Sequence, residues 1–374
     1  MERKEFLQYF LLGSLSSVAT GCKPESGTKK ISKLDEIDPN INILWTMKTV
    51  FNDSVRSSIL YQAPQMVCDL VLEISGGEFG IELERIGETE AILEEVSEGN
   101  IECGYSGIYY GSARYRSLFF SSAIPFGLTP EEQDAWLDYK KSDNDALTFV
   151  QSVYEKVGLN IISFPAGSTG GQMGGWFKNP VNSVEELDGL VMRIPGLGAE
   201  VLQNLGVRPH GSLSARITIK EAIERLKDGR FDAVEWVGPY DDMTLRLHEV
   251  AQYYYYPGWW EPSTTFNVQV NKDKWNSLPK KYQNIFKAAC YQTHMKIKTE
   301  YQQKNSDSLE KLRQGNTQFM KFSDEILAAA KQKTADLLRI DAEQDEVFKE
   351  VYEEWTRFKN KIRKWSELSY YPNL

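Results

Sequence analysis

The segment LDGLVMRIPGLGAEVLQNL at residues 187–205 decides the fold class of this chain. Its apolar run at 190–194 is typical of a short buried strand, and residues 199–205 continue with helical spacing until Gly206. A strand followed directly by a helix is the repeating unit of α/β proteins. The segment therefore predicts an α/β fold with mostly parallel sheets.

Similar units lie on both sides of this segment. Capping residues at Thr129 and Thr218 each mark the start of a helix. The predicted strands occupy residues 43–45, 79–83, 159–164, 190–194, 231–236 and 265–270. The last of these alternates polar and apolar residues, which predicts a strand with one solvated face. Beyond residue 281 the pattern predicts only helices.

Length and charge narrow the class of protein. The chain has 374 residues, which suits two domains of roughly 100–200 residues each. Its net charge is −10, and no long basic run is present, so a nucleic-acid partner is excluded. Because this overall charge repels anions, an anionic ligand requires a local positive group.

The N-terminus predicts export. Residues 1–22 combine a charged start, a short apolar run and small residues before Cys22, as in a lipoprotein-like signal peptide, and they also resemble a degenerate twin-arginine signal. Residues 23–40 are then a flexible tether. The alternative is a soluble N-terminal helix in which Cys22 is incidental. We expect a periplasmic or extracytoplasmic protein, lipid-anchored through Cys22.

Motifs for nucleophilic or zinc catalysis are absent from the sequence. No nucleophile elbow occurs, and the three histidines have no HExxH spacing. Cys68, Cys103 and Cys290 have no CxxC spacing, so we expect buried thiols, with a single bridge as the alternative.

Three irregular segments, at residues 167–177, 192–198 and 235–261, concentrate glycine, aromatic and charged residues. Such segments lie at the carboxyl ends of strands in α/β proteins, where ligands bind. The first lacks the GxGxxG order of a phosphate loop, and its Gln172 either offers an amide to a small ligand or belongs to a structural turn.

Arg193, Glu235 and Glu261 are the charged residues at these strand ends. Arg193 follows a buried strand, so it binds either a ligand carboxylate or a protein carboxylate. The two glutamates are an acid/base pair for glycoside hydrolysis, oxygen ligands of a hard cation, or members of two separate ion pairs.

The sequences GSTGGQMGGWF at 167–177, LDGLVMRIPGLGAEVLQNL at 187–205 and DAVEWVGPYDD…YYYYPGWWEP at 232–262 resemble the DctP-type solute-binding proteins of TRAP transporters. The resemblance covers roughly residues 80–275. It is strongest for the branch that binds 2-oxo and 2-hydroxy monocarboxylates such as pyruvate and lactate. It implies capture of a small organic acid for membrane permease subunits, and no enzymatic activity.

The resemblance also implies the architecture, which is a two-domain periplasmic-binding-protein-like cleft fold with crossing strands and C-terminal helices. Domain I then comprises residues 41–164 and 254–280, and domain II comprises residues 165–253. Residues 281–374 form the C-terminal helices, which pack on the domains or on a partner subunit.

By the same resemblance, Arg193 clamps the ligand carboxylate and a calcium or sodium ion lies beside it. Residues matching the cation ligands are Gln172, Glu235, Glu261 and the backbone oxygen of Trp236. Residues matching the ligand pocket are Arg193, Gln172, Trp236, Tyr109, Tyr110, Trp176 and Phe177. For the last four of these, core packing is the alternative.

Departures from the family pattern leave the identity of the acid open. They lie at residues 46–57, 111–112 and 212–216. The resemblance also leaves open a ligand-sensing subunit of a receptor, and a hydrolase using Glu235 and Glu261 is the competing class. An aromatic stripe at residues 348–365 either packs on the protein's own core or forms a homodimer.

Overall fold

The structure is a computed structural model that describes residues 42–86, 92–108, 114–210 and 218–369. All of these belong to one compact unit, residues 40–374. Its strands are β1 (Ile43–Thr49), β2 (Phe79–Arg85), β3 (Cys103–Ser106), β4 (Ile161–Gly171), β5 (Trp176–Phe177), β6 (Val191–Arg193), β7 (Arg208–His210), β8 (Ala233–Val234), β9 (Tyr253–Tyr256), β10 (Ser263–Asn271) and β11 (Gln318–Lys321).

These strands form two mixed sheets, and the α/β fold class is confirmed. The first sheet has the order β2-β1-β3-β10-β4, and the second has the order β11-β9-β5-β8-β6-β7. The expectation of mostly parallel sheets is wrong in one respect. Strand β10 runs antiparallel to β3 and β4, and β5 runs antiparallel to β8 and β9.

The chain passes between the sheets three times, twice through short crossing segments and once through the long helical connection from β10 to β11. The first, residues 172–175, connects β4 to β5, and the second, residues 257–262, connects β9 to β10. Gly175 has φ +80° in the first, and a Cβ there would lie 2.9 Å from the carbonyl oxygen of Val234. Only glycine fits this close approach without strain.

Helices cover the faces of both sheets. They are α1 (Ala63–Ile74), α2 (Ile92–Glu98), α3 (Pro130–Leu137), α4 (Phe149–Lys156), α5 (Gly196–Gln203), α6 (Ile219–Lys227), α7 (Pro239–Thr244), α8 (Lys272–Ser277), α9 (Lys280–Gln314), α10 (Asp324–Gln344) and α11 (Glu346–Ser369). Thr129 caps α3 in a capping box, and Thr218 caps α6, both as predicted. The long helix α9 packs on β4, α1 and α7.

Two features of the sheets differ from the sequence prediction. Strand β10 is buried along its whole length, because α2 and α3 cover the face that was expected to be solvated. Strand β11 lies in the region predicted to be only helical and pairs with β9 at the edge of the second sheet.

The aromatic stripe of α11 packs on the protein's own core. Phe348 and Trp355 are buried against Phe120, and Phe358 contacts Trp136 with ring centroids 5.2 Å apart. Only the end of the stripe departs from this, since Trp365 is 67% exposed.

The remaining expectations concern the cysteines and the membrane. Cys68, Cys103 and Cys290 are buried free thiols, as predicted, and Cys22 lies outside the described residues. Among the helices of the described ranges, none combines the length and the apolar character needed to span a membrane.

Candidate functional site

The candidate site lies where the two crossing segments meet the carboxyl ends of β6 and β8. Arg193 is the last residue of β6 and lies opposite Val234 of β8, and Glu235 follows β8 directly. Gln172 lies in the first crossing segment and Glu261 in the second. The fold thus brings four of the predicted residues together at the edge where α/β sheets bind ligands.

Arg193 is 7% exposed and is only partly satisfied by protein groups. Its Nη1 donates to the main-chain oxygen of Glu235 at 2.7 Å and to Oε2 of the same residue at 3.0 Å. The guanidinium carbon lies 5.1 Å from the ring centroid of Trp236, within cation–π range. Its buried Nε has no acceptor among the described residues. Arg193 therefore pairs with a protein carboxylate and keeps a donor for a second anion.

Two buried carboxyl groups share this one guanidinium. Burial raises the pKa of Glu235 well above its ordinary value, while Arg193 lowers it and Glu261 raises it. Burial raises the pKa of Glu261 to about 7, although Thr264 and Arg193 act in the opposite direction. Glu235 forms an ion pair with Arg193 and Glu261 forms none with the described residues, so the interpretation of two separate ion pairs is wrong. A cation beside these groups offsets their excess negative charge.

Hydrogen bonds hold the amide nitrogen of Gln172 and leave its amide oxygen without a donor. Its Nε2 donates to Thr264 Oγ1 at 2.8 Å and to Thr169 Oγ1 at 3.1 Å, and lies 3.5 Å from Glu261 Oε2. The Thr264 hydroxyl in turn donates to Glu261 Oε2 at 2.9 Å. The amide oxygen of Gln172 is buried with no donor among the described residues. Because an unpaired buried acceptor is costly, this oxygen is well suited to a cation.

The backbone after β8 offers a second free oxygen. The carbonyls of residues 235, 237 and 238 accept hydrogen bonds from Arg193, Met173 and Asp242, respectively. The carbonyl of Trp236, between them, accepts no main-chain hydrogen bond from the part of the chain that the structure describes. A carbonyl without a donor is a ligand that hard cations accept.

These groups enclose a cavity of about 30 Å³. Its polar wall contains Arg193, Gln172, Glu235 and Glu261, and its apolar wall includes Phe51, Leu60 and Phe266. A water-sized group needs about 10–15 Å³ of such space. A small organic acid needs more than this cavity offers, so the walls must separate for it to enter.

The donor set consists entirely of oxygen atoms. It contains two carboxylates, the Gln172 amide and the Trp236 carbonyl, and this combination suits sodium or calcium. Within the described ranges, no group of three or more His, Cys, Asp or Glu side chains is placed to hold a metal. The chemistry of the site therefore fits a hard cation and offers zinc neither thiolate nor imidazole.

Trp176 and Phe177 do not line this cavity, which corrects their predicted role as pocket walls. Trp176 is fully buried, stacks on Tyr254 with ring centroids 4.0 Å apart and donates to Asp242. Phe177 packs in the core of the second sheet. They occupy β5, whose interior position decides their burial. Tyr109 and Tyr110, like residues 212–216, lie outside the described residues.

The structure adds residues that the sequence did not single out. Thr169 and Thr264 hold Gln172 and Glu261, and Asp242 binds the loop after β8. Threonine is common in strands, so no local signal marked the first two. Asp242 lies in the quoted PYDD sequence, and its position six residues after the predicted strand at 231–236 was the one available signal.

Comparison with known proteins gives a consistent result. Residues 52–345 match DctP, described as bacterial extracellular solute-binding protein, family 7. A monocarboxylate 2-oxoacid-binding periplasmic protein of Nostoc sp. is 38% identical, over 99% of this chain and 98% of the relative.

Two solved structures match the fold of this chain over most of its length. A TRAP periplasmic solute-binding protein of Colwellia psychrerythraea, with bound calcium and pyruvate, has a TM-score of 0.78 and 32% identity and covers 88% of this chain and 97% of its own. A counterpart from Pseudoalteromonas atlantica, with bound sodium and pyruvate, has a TM-score of 0.77 and 29% identity, with the same coverage. The chain belongs to the DctP family of bacterial extracellular solute-binding proteins, the substrate-binding components of TRAP transporters.

Proposed function

We propose that this protein captures a 2-oxo monocarboxylate of the size of pyruvate, together with a calcium or sodium ion, and delivers it to TRAP permease subunits. The observation that carries the proposal is the unbalanced site, in which a buried arginine with a free donor lies beside two buried carboxyl groups, the unpaired amide oxygen of Gln172 and the Trp236 carbonyl. The relatives that bind pyruvate with calcium or sodium support the choice of ligand.

Charge explains why the cation and the acid bind together. Arg193, Glu235 and Glu261 carry one net negative charge when both glutamates are ionised. A calcium ion reverses that sign, and an acid anion then restores neutrality, so each partner favours the other. The acid's carboxylate is bound by Arg193, and its 2-oxygen is close enough to share the cation with the carboxylate.

We also propose that the protein performs no catalysis. Hydrogen bonds to Arg193, Thr264 and Gln172 use only Oε2 of Glu235 and of Glu261, so both carboxylates can bind the cation, and a bound cation withdraws them from general acid or base catalysis. This arrangement favours holding a ligand over transforming it.

Isothermal titration calorimetry of the cation-stripped protein tests the proposal. Pyruvate is titrated with calcium, with sodium, and with a chelator present, and lactate and a dicarboxylate serve as competitors. We expect binding of pyruvate that is at least about tenfold weaker when neither calcium nor sodium is present, and no conversion of the acid. Binding that is unaffected by cation removal, or turnover of the acid, would contradict the proposal.

Three finer points are part of this proposal. Cys22 carries a lipid anchor, which intact mass measurement of the membrane-extracted protein detects as added acyl mass.

The two sheets move apart as separate lobes when the cavity opens, which small-angle scattering with and without ligand detects. The exposed end of α11 pairs two copies, which analytical ultracentrifugation of wild type and Trp365→Ser distinguishes.

A further inference from the structure

Asp242 is a buried carboxylate that touches the candidate site only through the backbone. Its Oδ1 accepts hydrogen bonds from the main-chain nitrogens of Val237 at 3.2 Å and Gly238 at 3.1 Å. The Val237 nitrogen and the Trp236 carbonyl oxygen belong to the same planar peptide group, and the Gly238 nitrogen belongs to the next one. Fixing the nitrogen therefore fixes the direction of the oxygen.

The other oxygen of Asp242 is held from the core of the second sheet. Its Oδ2 accepts from Trp176 Nε1 at 3.0 Å and from the Tyr254 hydroxyl at 2.7 Å. These two rings are stacked and belong to β5 and β9, which are adjacent strands. One carboxylate thus connects a rigid aromatic pair to the peptide that carries the free carbonyl.

We propose that Asp242 is a positioning residue for the cation, which aims the Trp236 carbonyl at the cavity by holding the Trp236–Val237 peptide. The inference rests on the proposed function, since it assumes that a cation occupies the site. It assigns the aromatic residues Trp176 and Tyr254 a part in cation affinity, although neither lines the cavity. A carboxylate suits this role because it accepts on both sides, and four donors converge on it.

The neighbouring Asp241 provides a matched control. It is equally buried, at 1% exposure, and lies in the same helix α7. Its Oδ2 accepts from Ser58 at 2.8 Å and from the Tyr301 hydroxyl at 2.7 Å, and it makes no hydrogen bond to residues 235–238. Removing Asp241 disturbs the packing of α7 and leaves the hydrogen bonds to the Trp236–Val237 peptide in place.

The experiment measures the affinity of the full-length protein for calcium alone by calorimetry, alongside the thermal midpoint of the cation-free protein. Asp242→Ala should weaken calcium binding by at least about tenfold, and Asp242→Asn by less, because its amide oxygen still accepts from the loop. Tyr254→Phe, which removes one of the two supporting donors, should weaken calcium binding about two- to fivefold. Asp241→Asn should lower the thermal midpoint and change calcium affinity less than about twofold.

The outcomes separate this inference from the proposed function. Wild type that binds no calcium or sodium contradicts both. Wild type that binds calcium, with equal losses of affinity in Asp241→Asn and Asp242→Asn, overturns the positioning role, because any loosening of α7 then weakens the site. Tyr254→Phe folds with one hydroxyl fewer, so it keeps the test decisive if Asp242→Ala does not fold. Unchanged calcium affinity in Tyr254→Phe and Asp242→Asn together also overturns the inference.

Discussion

Arg116 and Arg193 both join separate parts of the chain through carboxylates, and they differ in how completely they are satisfied. Arg116 makes a two-point contact with Glu200 at 2.7 and 3.0 Å, and its Nε and Nη2 bind Asp341 at 3.0 and 2.7 Å. Arg193 uses a single nitrogen on Glu235 and leaves its Nε without an acceptor. Protein carboxylates satisfy all three guanidinium nitrogens of Arg116, but they do not satisfy the Nε of Arg193.

This difference separates a structural ion pair from a binding group. The Arg116 contact links α5 and α10, and all three guanidinium nitrogens are used within the fold. Arg193 lies beside an excess of negative charge and still has an unused buried donor, which is costly unless a ligand completes it. The more buried of the two side chains, Arg193 at 9% exposure against 22% for Arg116, is the one with the unsatisfied donor.

The largest expected effect tests Arg193. Arg193→Ala should weaken binding of the acid by at least about a hundredfold, because the buried guanidinium that lines the cavity and pairs with the acid's carboxylate is lost. Calorimetric titration of pyruvate at saturating calcium measures this effect. Far-ultraviolet circular dichroism should show that the variant is folded. Affinity within about threefold of wild type would exclude Arg193 as the clamp.

Glu261→Gln should have the next largest effect, on the cation more than on the acid. The amide keeps the size of the side chain and a hydrogen-bonding oxygen, but it removes one negative charge from the all-oxygen site. Calcium affinity should fall by about tenfold or more, and the acid should weaken only as far as it depends on calcium. Titration of calcium without acid, and of acid at saturating calcium, separates these contributions. Thr264→Val, which removes the Glu261 partner and no charge, should weaken calcium by less.

A smaller effect is expected from pH. In the cation-free protein the pKa of Glu261 is raised to about 7, so the folded state binds this proton more tightly than the unfolded chain does. The resulting stability is fully present below the unfolded pKa and is lost as pH rises through about 7. The thermal midpoint of the cation-free protein should therefore fall from the unfolded pKa of 4.5 until the pH has passed about 7, and calcium should remove part of this slope.

Asp241 and Asp242 act in the same direction, because burial raises their pKa values to about 6 and about 7. The informative quantity is thus the difference in slope between wild type and Glu261→Gln. Equal slopes for the two proteins would show that Glu261 does not titrate in this range.

The smallest effect on binding is expected for Arg116, whose hydrogen-bond donors are all satisfied within the protein. Arg116→Ala should change the affinities for calcium and acid by less than about twofold, because its contacts are remote from the cavity. It should lower the thermal midpoint by about 2–8 °C, since a two-carboxylate contact between helices is lost. A large loss of ligand affinity in this variant would remove the distinction between the two arginines.

The sequence was most informative where a side chain had to be unusual for its position. An arginine ending the buried run at 190–194 required a carboxylate partner, and this much followed from physical chemistry alone. That Arg193, Glu235, Gln172 and Glu261 lie together came from the family resemblance, because residues up to 89 positions apart meet only through the chain crossings. No local pattern encodes such contacts.

Errors arose where burial depends on distant elements. Residues 265–270 have the alternation of a half-exposed strand, yet α2 and α3 cover the second face, so the polar side chains of β10 are also buried. Trp176 and Trp236 both lie in irregular segments that the sequence marked as candidate binding segments. In the structure Trp176 belongs to the two-residue strand β5, whereas Trp236 lies just after the end of the neighbouring strand β8. Sequence spacing does not separate these cases, because both positions favour large aromatic side chains.

The two crossing segments have a consequence for how occupancy is communicated. Gln172 lies on one crossing and Glu261 on the other, so an ion that binds both restricts the backbone torsions of the two short passages between the sheets, while the third passage runs through α8 and α9. Ligand binding and the stiffness of the connection between the sheets are then thermodynamically coupled. A permease that distinguishes stiff receptors from compliant ones can accept loaded molecules without contacting the cargo at all.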